Sequence, residues 1–124
     1  MLYLSVFLGG GLGSALRFVM SQWSLTSLDH YKLPTMFVNI LGSAILGCLM
    51  ALMANQKLPQ TQFALLAVGF CGGLTTFSTF IFDIYSIAKQ YGLQFAVIYT
   101  ASSFILALLA FIVLYFITVK WVAS

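Results

Sequence analysis

At the centre of the chain lies the stretch Gly69-Phe70-Cys71-Gly72-Gly73-Leu74-Thr75-Thr76-Phe77-Ser78-Thr79-Phe80. It falls in the middle of an apolar segment from about Thr61 to Ala88, which is long enough to cross a bilayer as a helix. The glycine pair weakens a helix because glycine loses much backbone entropy on folding. The threonines that follow offer the backbone other hydrogen-bond partners. We therefore predict a helix that stops near Gly72-Gly73, unwinds for a few residues at mid-membrane depth and restarts.

The alternative interpretation of this stretch is a continuous helix whose glycines serve close packing. The polar groups that follow the glycines favour the break. Non-helical backbone inside a membrane is tolerated only where protein buries it or where it lines a wet cavity. Broken helices of transporters use their freed carbonyl groups to bind ions. The predicted break therefore indicates an ion site.

The composition is that of an integral membrane protein. The chain has 124 residues, of which 62% are apolar and only 6% are charged, and its mean hydropathy is +1.08. A soluble domain carries about 25% charged residues. Five scattered basic residues give a net charge of +3 without a basic patch, which argues against nucleic-acid binding. No basic region precedes the first apolar run, so we expect a mature span there rather than a cleaved signal.

Four apolar segments reach the length of about 20 residues that a membrane-spanning helix needs. They lie at about 2–24, 34–55, 61–88 and 94–119. We predict an all-α membrane protein with one transmembrane domain over 1–124, four helices and a broken third helix. Gly9 and Gly13 in the first segment have the spacing that lets two helix backbones approach closely. Cys48 and Cys71 belong to no ligand cluster, so we expect them to be buried thiols without metal or redox chemistry.

The lysines are divided evenly between the two ends of the predicted helices. Lys57 and Lys120 fall on the side of the N-terminus, and Lys32 and Lys89 fall on the opposite side. Such a balance gives almost no orientation signal under the positive-inside rule. We therefore predict dual insertion and an antiparallel homodimer whose two-fold axis passes through the two breaks. The alternative is one ordinary topology that other features set.

Polar side chains within the spans are candidate functional groups because they are costly in hydrocarbon. Asn39 either bridges helices or aims its NH₂ group into a pathway. Tyr99, Ser102 and Ser103 follow the i, i+3, i+4 spacing, which predicts three hydroxyl groups on one helical face. Serine pairs also hold helices together, so that face has a purely structural alternative.

Phe77 and Phe80 are three residues apart and share a helical face, with Ser78 and Thr79 between them. The edges of aromatic rings are electropositive, so a ring edge attracts an anion. The alternative is that the two rings face lipid or core. Together with the hydroxyl and amide donors, however, the ring edges form a lining suited to a small, hard anion. No lysine belongs to this group of residues, so an anion would not be held tightly. This favours conduction, since an ion must also leave its site.

Two charged side chains flank this region. We expect Arg17 to pack and position neighbouring helices rather than to touch a substrate, by snorkelling or by binding carbonyl groups. Asp83 continues the face of Phe77 and Phe80 towards a helix end. We expect it to be a solvated charge, with a gate or vestibule role as the alternative.

Three motifs identify a family. They are Gly9-Gly10-Gly11-Leu12-Gly13-Ser14-Ala15-Leu16-Arg17, Val38-Asn39-Ile40-Leu41-Gly42-Ser43 and the central stretch that begins at Gly69. With these motifs the chain resembles the CrcB/Fluc family of fluoride channels along essentially its whole length. The third motif is highly specific, whereas the first two are weak alone. Two residues depart from the family pattern, since Phe18 stands where tyrosine is frequent and Asp83 stands where glutamate is frequent.

The resemblance implies a dual-topology homodimer in the bacterial inner membrane, with two antiparallel pores and a central structural sodium ion. It implies that the backbone carbonyls of Gly72 and Thr75 from both subunits hold the sodium. It further implies a fluoride path and polar track along Asn39, Phe77, Phe80, Ser78, Thr79, Tyr99 and Ser103, with Arg17 as the family's first-helix arginine. The implied activity is passive fluoride export that protects the cell.

Three other classes of protein fit the sequence less well. A small proton-coupled exporter of organic cations needs a carboxylate deep in a span, and the first span has none. A non-transporting membrane scaffold leaves the predicted break without a purpose. An enzyme needs a nucleophile with its base or a metal cluster, and we find neither in the sequence.

Overall fold

The computed structural model describes residues 1–22 and 32–124. Four helical segments there are long and apolar enough to cross a membrane: Leu2–Ser21, Leu33–Ala54, Gln60–Tyr91 and Leu93–Ala123. The all-helical class with four spans is therefore confirmed for the described residues. Residues 23 and 24, the predicted end of the first helix, lie outside them. The fourth helix continues beyond the predicted end at 119 because hydropathy marks the hydrocarbon boundary, whereas helical hydrogen bonding continues into the interface.

Short connections join the last three spans. The second helix closes with a bond from the Lys57 amide to the Leu52 carbonyl at 2.9 Å and one from the Gln56 amide to the Met53 carbonyl at 3.0 Å. These are the two bonds of a Schellman motif, with Gln56 at a positive φ of 57°. Gly92 alone links the third and fourth spans, and its φ of 103° is a conformation that a side chain would strain.

The third span is interrupted at its middle. Its first half consists of a short α-helical turn Gln60–Phe63, a π-helical segment Ala64–Cys71 and a helical turn Gly72–Leu74. Its second half is the α-helix Phe77–Tyr91. Between the halves, Thr75 and Thr76 are extended, with φ and ψ of −76° and 156° and of −150° and 123°.

The interruption of the third span agrees with the predicted broken helix, and it falls just after the glycine pair. Gly72 keeps helical angles of −63° and −34°, and the chain leaves the helix only after Leu74. Gly73 has a packing role, because a Cβ there would overlap the carbonyl of Gly10. Gly73 therefore serves close packing, as the alternative interpretation held for the glycines, and the threonines after the pair make the break.

Backbone-to-backbone contacts hold the first helix against the first half of the third span. A Cβ on Gly9 would meet the Leu65 carbonyl, and one on Gly13 would meet the Phe70 carbonyl. Without side chains at these positions the two helices come close enough for dispersion contacts along their backbones. This pair of helices fixes the position of the break.

The second and fourth helices run side by side in the same direction. Gly47 lies against the backbone of Phe111, and near the other end Met36 packs on the buried cluster that includes Ala96 and Tyr99. The same cluster contains Ile87 from the second half of the third span. The break is thus placed between the helices that carry Arg17, Asn39 and Tyr99.

Candidate functional site

The helical ladder of the first half ends with the Thr75 amide, and side chains supply hydrogen-bond partners beyond it. Both the amide and the hydroxyl of Thr75 donate to the Cys71 carbonyl, at 3.0 and 2.9 Å. Thr76 caps the second half of the span, because its hydroxyl oxygen accepts from the Thr79 amide at 3.3 Å. A threonine in this position satisfies one of the free amides at a helix start.

Asn39 braces the break from the second helix. Its Oδ1 accepts from the Thr76 amide at 2.8 Å, and its Nδ2 donates to the Thr76 carbonyl at 3.2 Å. The side-chain amide thereby pairs with an extended residue much as a neighbouring strand would. The second N–H of its NH₂ group is not used by either bond, so the bridging and the pathway interpretations of Asn39 are compatible.

Arg17 supports the break from the first helix. Its Nε donates to the Gly73 carbonyl at 3.0 Å, and the Ser14 hydroxyl lies 3.5 Å from the same oxygen. An arginine bound in this way brings a positive charge to the end of the first half of the span. This contact matches the positioning role that we expect for Arg17.

Carbonyl groups at the break lose their helical donors, and those of Gly72 and Thr75 are among them. In a continuous helix the Gly72 carbonyl would accept from the Thr76 amide and the Thr75 carbonyl from the Thr79 amide. Here those amides donate to Asn39 Oδ1 and to Thr76 Oγ1. Both Gly72 and Thr75 line a cavity of about 330 Å³, and a Cβ on Gly72 would meet none of the described residues within 4 Å. Carbonyl oxygens beside open space suit a hard cation.

Three aromatic rings lead from the break towards the end of the span. The centroids of Phe77 and Phe80 are 6.3 Å apart, and those of Phe80 and Tyr99 are 5.5 Å apart. Phe77 is 75% exposed in the single chain, whereas Tyr99 is buried. The Tyr99 hydroxyl in turn donates to Asp83 Oδ2 at 3.3 Å. The sequence-predicted residues Phe77, Phe80, Tyr99 and Asp83 thus form one connected row. The expectation that Asp83 is a solvated charge is wrong, because its side chain is buried and bonded to Tyr99 of the fourth helix.

The predicted hydroxyl groups separate into two places. Those of Ser78 and Thr79 lie 3.4 and 3.1 Å from Thr76 Oγ1, at the break. Ser103 is buried near Tyr99 and has no hydrogen bond of good geometry among the described residues. Ser102 bonds to the Tyr99 carbonyl at 3.1 Å within its own helix. Because the Ser102 hydroxyl is bonded within its own helix, Tyr99 and Ser103 are the two of the three predicted hydroxyl residues that remain candidates for the lining.

Our sequence reasoning missed the polar residues Ser14 and Thr35. They line a second cavity of about 280 Å³ beside the break, together with Arg17, Phe18, Ser21, Pro34, Val38, Thr76 and Thr79. Their spacing in the sequence could have identified them, since Thr35 precedes Asn39 by four residues and Ser14 precedes Arg17 by three. Those spacings place each pair on one helical face.

Comparison with known proteins gives a consistent result. The profile of the family described as CrcB-like protein, Camphor Resistance (CrcB), matches residues 4–115. A protein of Serratia proteamaculans (strain 568) named fluoride-specific ion channel FluC is 37% identical over 119 residues, which cover 92% of this chain and 94% of the relative. One of Yersinia pseudotuberculosis serotype I (strain IP32953) named fluoride-specific ion channel FluC 1 is 35% identical over 114 residues, covering 88% and 90%. A third, the fluoride-specific ion channel FluC of Gloeothece citriformis (strain PCC 7424), is 49% identical over 82 residues, covering 64% and 66%.

Proposed function

This chain belongs to the CrcB family, and we infer from that membership that it is a fluoride-selective ion channel and not an enzyme. The observation that carries the proposal further is the extended pair Thr75-Thr76 at the centre of the third span, braced by Asn39. Hydrogen-bond donors from the backbone and from side chains lie close together there, at a depth where lipid offers none.

The lining of the break matches the chemistry of fluoride. A small, strongly hydrated anion enters a narrow path only if other donors replace its lost water. The hydroxyls of Ser78 and Thr79, the free N–H of Asn39 and the edges of Phe77 and Phe80 are such donors. The buried hydroxyls of Tyr99 and Ser103 continue the path towards Asp83.

Transport through this path is passive. Each unit charge gains about 2.3 kcal/mol per 100 mV of membrane potential, so a negative interior drives fluoride outwards without a coupled ion. Hydrogen fluoride enters cells in its neutral form and releases the anion in a less acidic cytoplasm. The channel then lowers the toxic concentration, and the bacterial inner membrane is the place where it does so.

The conducting form is an antiparallel homodimer. One chain leaves the ring of Phe77 exposed and leaves the cavity beside Gly72 and Thr75 open at its surface. A second copy, related by a two-fold axis in the membrane plane, would meet these groups at the centre of the bilayer, where each chain has its break. The even division of lysines between the two sides allows both orientations.

A structural sodium ion fits the carbonyl groups at the break. The residues that would hold it are Gly72 and Thr75 of both copies, through the carbonyls whose helical donors are engaged elsewhere. Among the described residues no group of three or more His, Cys, Asp or Glu side chains is arranged to hold a metal, so backbone oxygens are the fitting ligands. The ion would supply a fixed positive charge, in addition to that of Arg17, in a region that must admit an anion.

Fluoride flux from liposomes tests the activity. Purified protein should release fluoride under a potassium diffusion potential, with negligible movement of chloride, as a fluoride electrode records. The Phe80→Ile substitution should lower the rate at least about tenfold, because an aliphatic group has no electropositive edge. The matched control is Phe82→Ile, since that ring is 65% exposed and lines neither cavity at the break.

Other outcomes would redirect the proposal. Proton-dependent uptake of organic cations would identify an exporter, and a silent protein would identify a scaffold. If F80I conducts like the native protein while remaining dimeric, the rings are not part of the lining.

Reporter fusions test the dual topology. Fusions of green fluorescent protein and of alkaline phosphatase to the C-terminus report cytoplasmic and periplasmic ends, and we expect both signals from the native chain. Replacing Lys57 and Lys120 with glutamine leaves Lys32 and Lys89 on the opposite side. Under the positive-inside rule the phosphatase signal should then dominate. A native chain that gives one signal alone would refute the antiparallel dimer.

A further inference from the structure

The second helix contacts both extended residues of the break. Asn39 bonds to the backbone of Thr76. Three residues further along the same helix, Gly42 lies against the side chain of Thr75. Residues at this spacing share one helical face. A single face of the second helix therefore meets the backbone of one extended residue and the side chain of the other.

Gly42 leaves room for one methyl group. It is buried inside the helix Leu33–Ala54, and a Cβ built on it would overlap Thr75 Cγ2. The next nearest atoms among the described residues, Thr75 Cβ and the Cys71 carbonyl oxygen, would lie at the ordinary contact distances of 3.8 and 3.9 Å. Alanine forms helices better than glycine does. Helix formation therefore does not account for a glycine at this position, whereas the methyl group of Thr75 does.

The side chain of Thr75 is held at both of its branches. Its methyl group lies on Gly42, and its hydroxyl donates to the Cys71 carbonyl at 2.9 Å. Because both groups are attached to Cβ, they turn together about χ1 and neither moves alone. Thr75 is also the residue at which the chain leaves the helix, with φ −76° and ψ 156°. The two contacts thus hold the residue that begins the break.

We propose that Gly42 is a positioning residue of the fluoride path, which acts by fixing the side chain of Thr75. A side chain at position 42 would force Thr75 to turn about χ1, and that rotation would take its hydroxyl away from the Cys71 carbonyl. The cavity that Gly42 and Thr75 both line would then change in shape and in polar lining. This inference rests on the proposed fluoride channel and adds a residue that touches the path only through Thr75.

Complementary substitutions test the proposal in liposomes. G42A should lower the initial fluoride rate about tenfold, which corresponds to about 1.4 kcal/mol. T75S removes the methyl group and keeps the hydroxyl, so it should conduct nearly as fast as the native protein. In G42A/T75S the added Cβ occupies the space that the methyl group has left. The double variant should therefore conduct as fast as T75S, and the two changes are strongly coupled.

Two controls separate this role from packing in general. T75V keeps the methyl group and removes the hydroxyl, so G42A/T75V should stay as slow as G42A. Gly47 lies on the same helix, lines neither described cavity at the break, and has the backbone of Phe111 where a Cβ would be. G47A should lower Tm and leave the rate per folded protein unchanged. T75S should not restore its Tm, because the atoms in the way are backbone.

The possible outcomes distinguish the two proposals. No fluoride flux from the native protein would overturn the proposed function itself. Native flux together with a G42A protein of normal rate, or with an equal loss from G42A in the Thr75 and T75S backgrounds, would overturn the role of Gly42 and leave the channel intact. If G42A alone fails to elute as a folded protein, the double variant decides: a rate equal to that of T75S supports the role, and a slow, folded double variant refutes it.

Discussion

Replacing Asn39 with alanine is expected to lower fluoride flux by at least about a hundredfold. The change removes the acceptor of the Thr76 amide and the donor to the Thr76 carbonyl. A polar group left without its partner costs about 1–3 kcal/mol, and both the amide and the carbonyl of Thr76 would lose the partner that holds them in the extended conformation. Since about 1.4 kcal/mol corresponds to a factor of ten, two lost bonds give the predicted loss.

The measurement is the initial rate of fluoride release from liposomes at equal protein content. Asn55→Ala is the matched control, because that side chain bonds to the Ala51 carbonyl of its own helix at 2.8 Å and not to the break. It should retain the native rate and the native elution volume. An N39A protein that conducts as fast as N55A would show that the break holds its shape without the brace.

Replacing Gly13 with alanine is expected to destabilise the fold by about 3 kcal/mol or more. The added Cβ would overlap the Phe70 carbonyl and lie 2.8 Å from the Leu74 amide nitrogen. Because the atoms that it meets are backbone, no side-chain rotation relieves the overlap and the helices must separate. Separation would displace Leu74, the last helical residue before the break.

Thermal unfolding in detergent and the fluoride rate together measure this effect. Gly11→Ala is the control two residues away, because a Cβ there would have no neighbour within 4 Å in the part of the chain that the structure describes. That change should leave the rate unaltered and raise stability by about 0.5–1 kcal/mol, as alanine does in a helix. Equal Tm values for G13A and G11A would mean that the two helices are not in backbone contact.

The helical class and the candidate residues were predictable from composition and spacing. A chain with 6% charged residues and four long apolar runs has no soluble alternative. The glycine and threonine stretch signalled an interruption, because both residue types weaken a helix in identifiable ways. Phe77 and Phe80 are close for the same reason, since three residues in a helix bring two rings to one face.

The position of the break and the partners of its backbone required the tertiary structure. Glycines at 72 and 73 are compatible both with packing and with unwinding, and only the contact of Gly73 with Gly10 distinguishes the two. Likewise, Asn39, Arg17 and Thr76 are distant in sequence, so their bonds depend on how the first and second helices are placed. The partner of Asp83 follows the same rule, because Tyr99 reaches it from the fourth helix. Composition and spacing thus determined that the chain crosses the membrane in four helices and that the third is interrupted, since those are properties of local sequence. The packing of helices around the interruption decided which groups bond to the extended backbone. An amide without a helical partner inside a membrane needs another acceptor, and Asn39 of the second helix supplies one for Thr76.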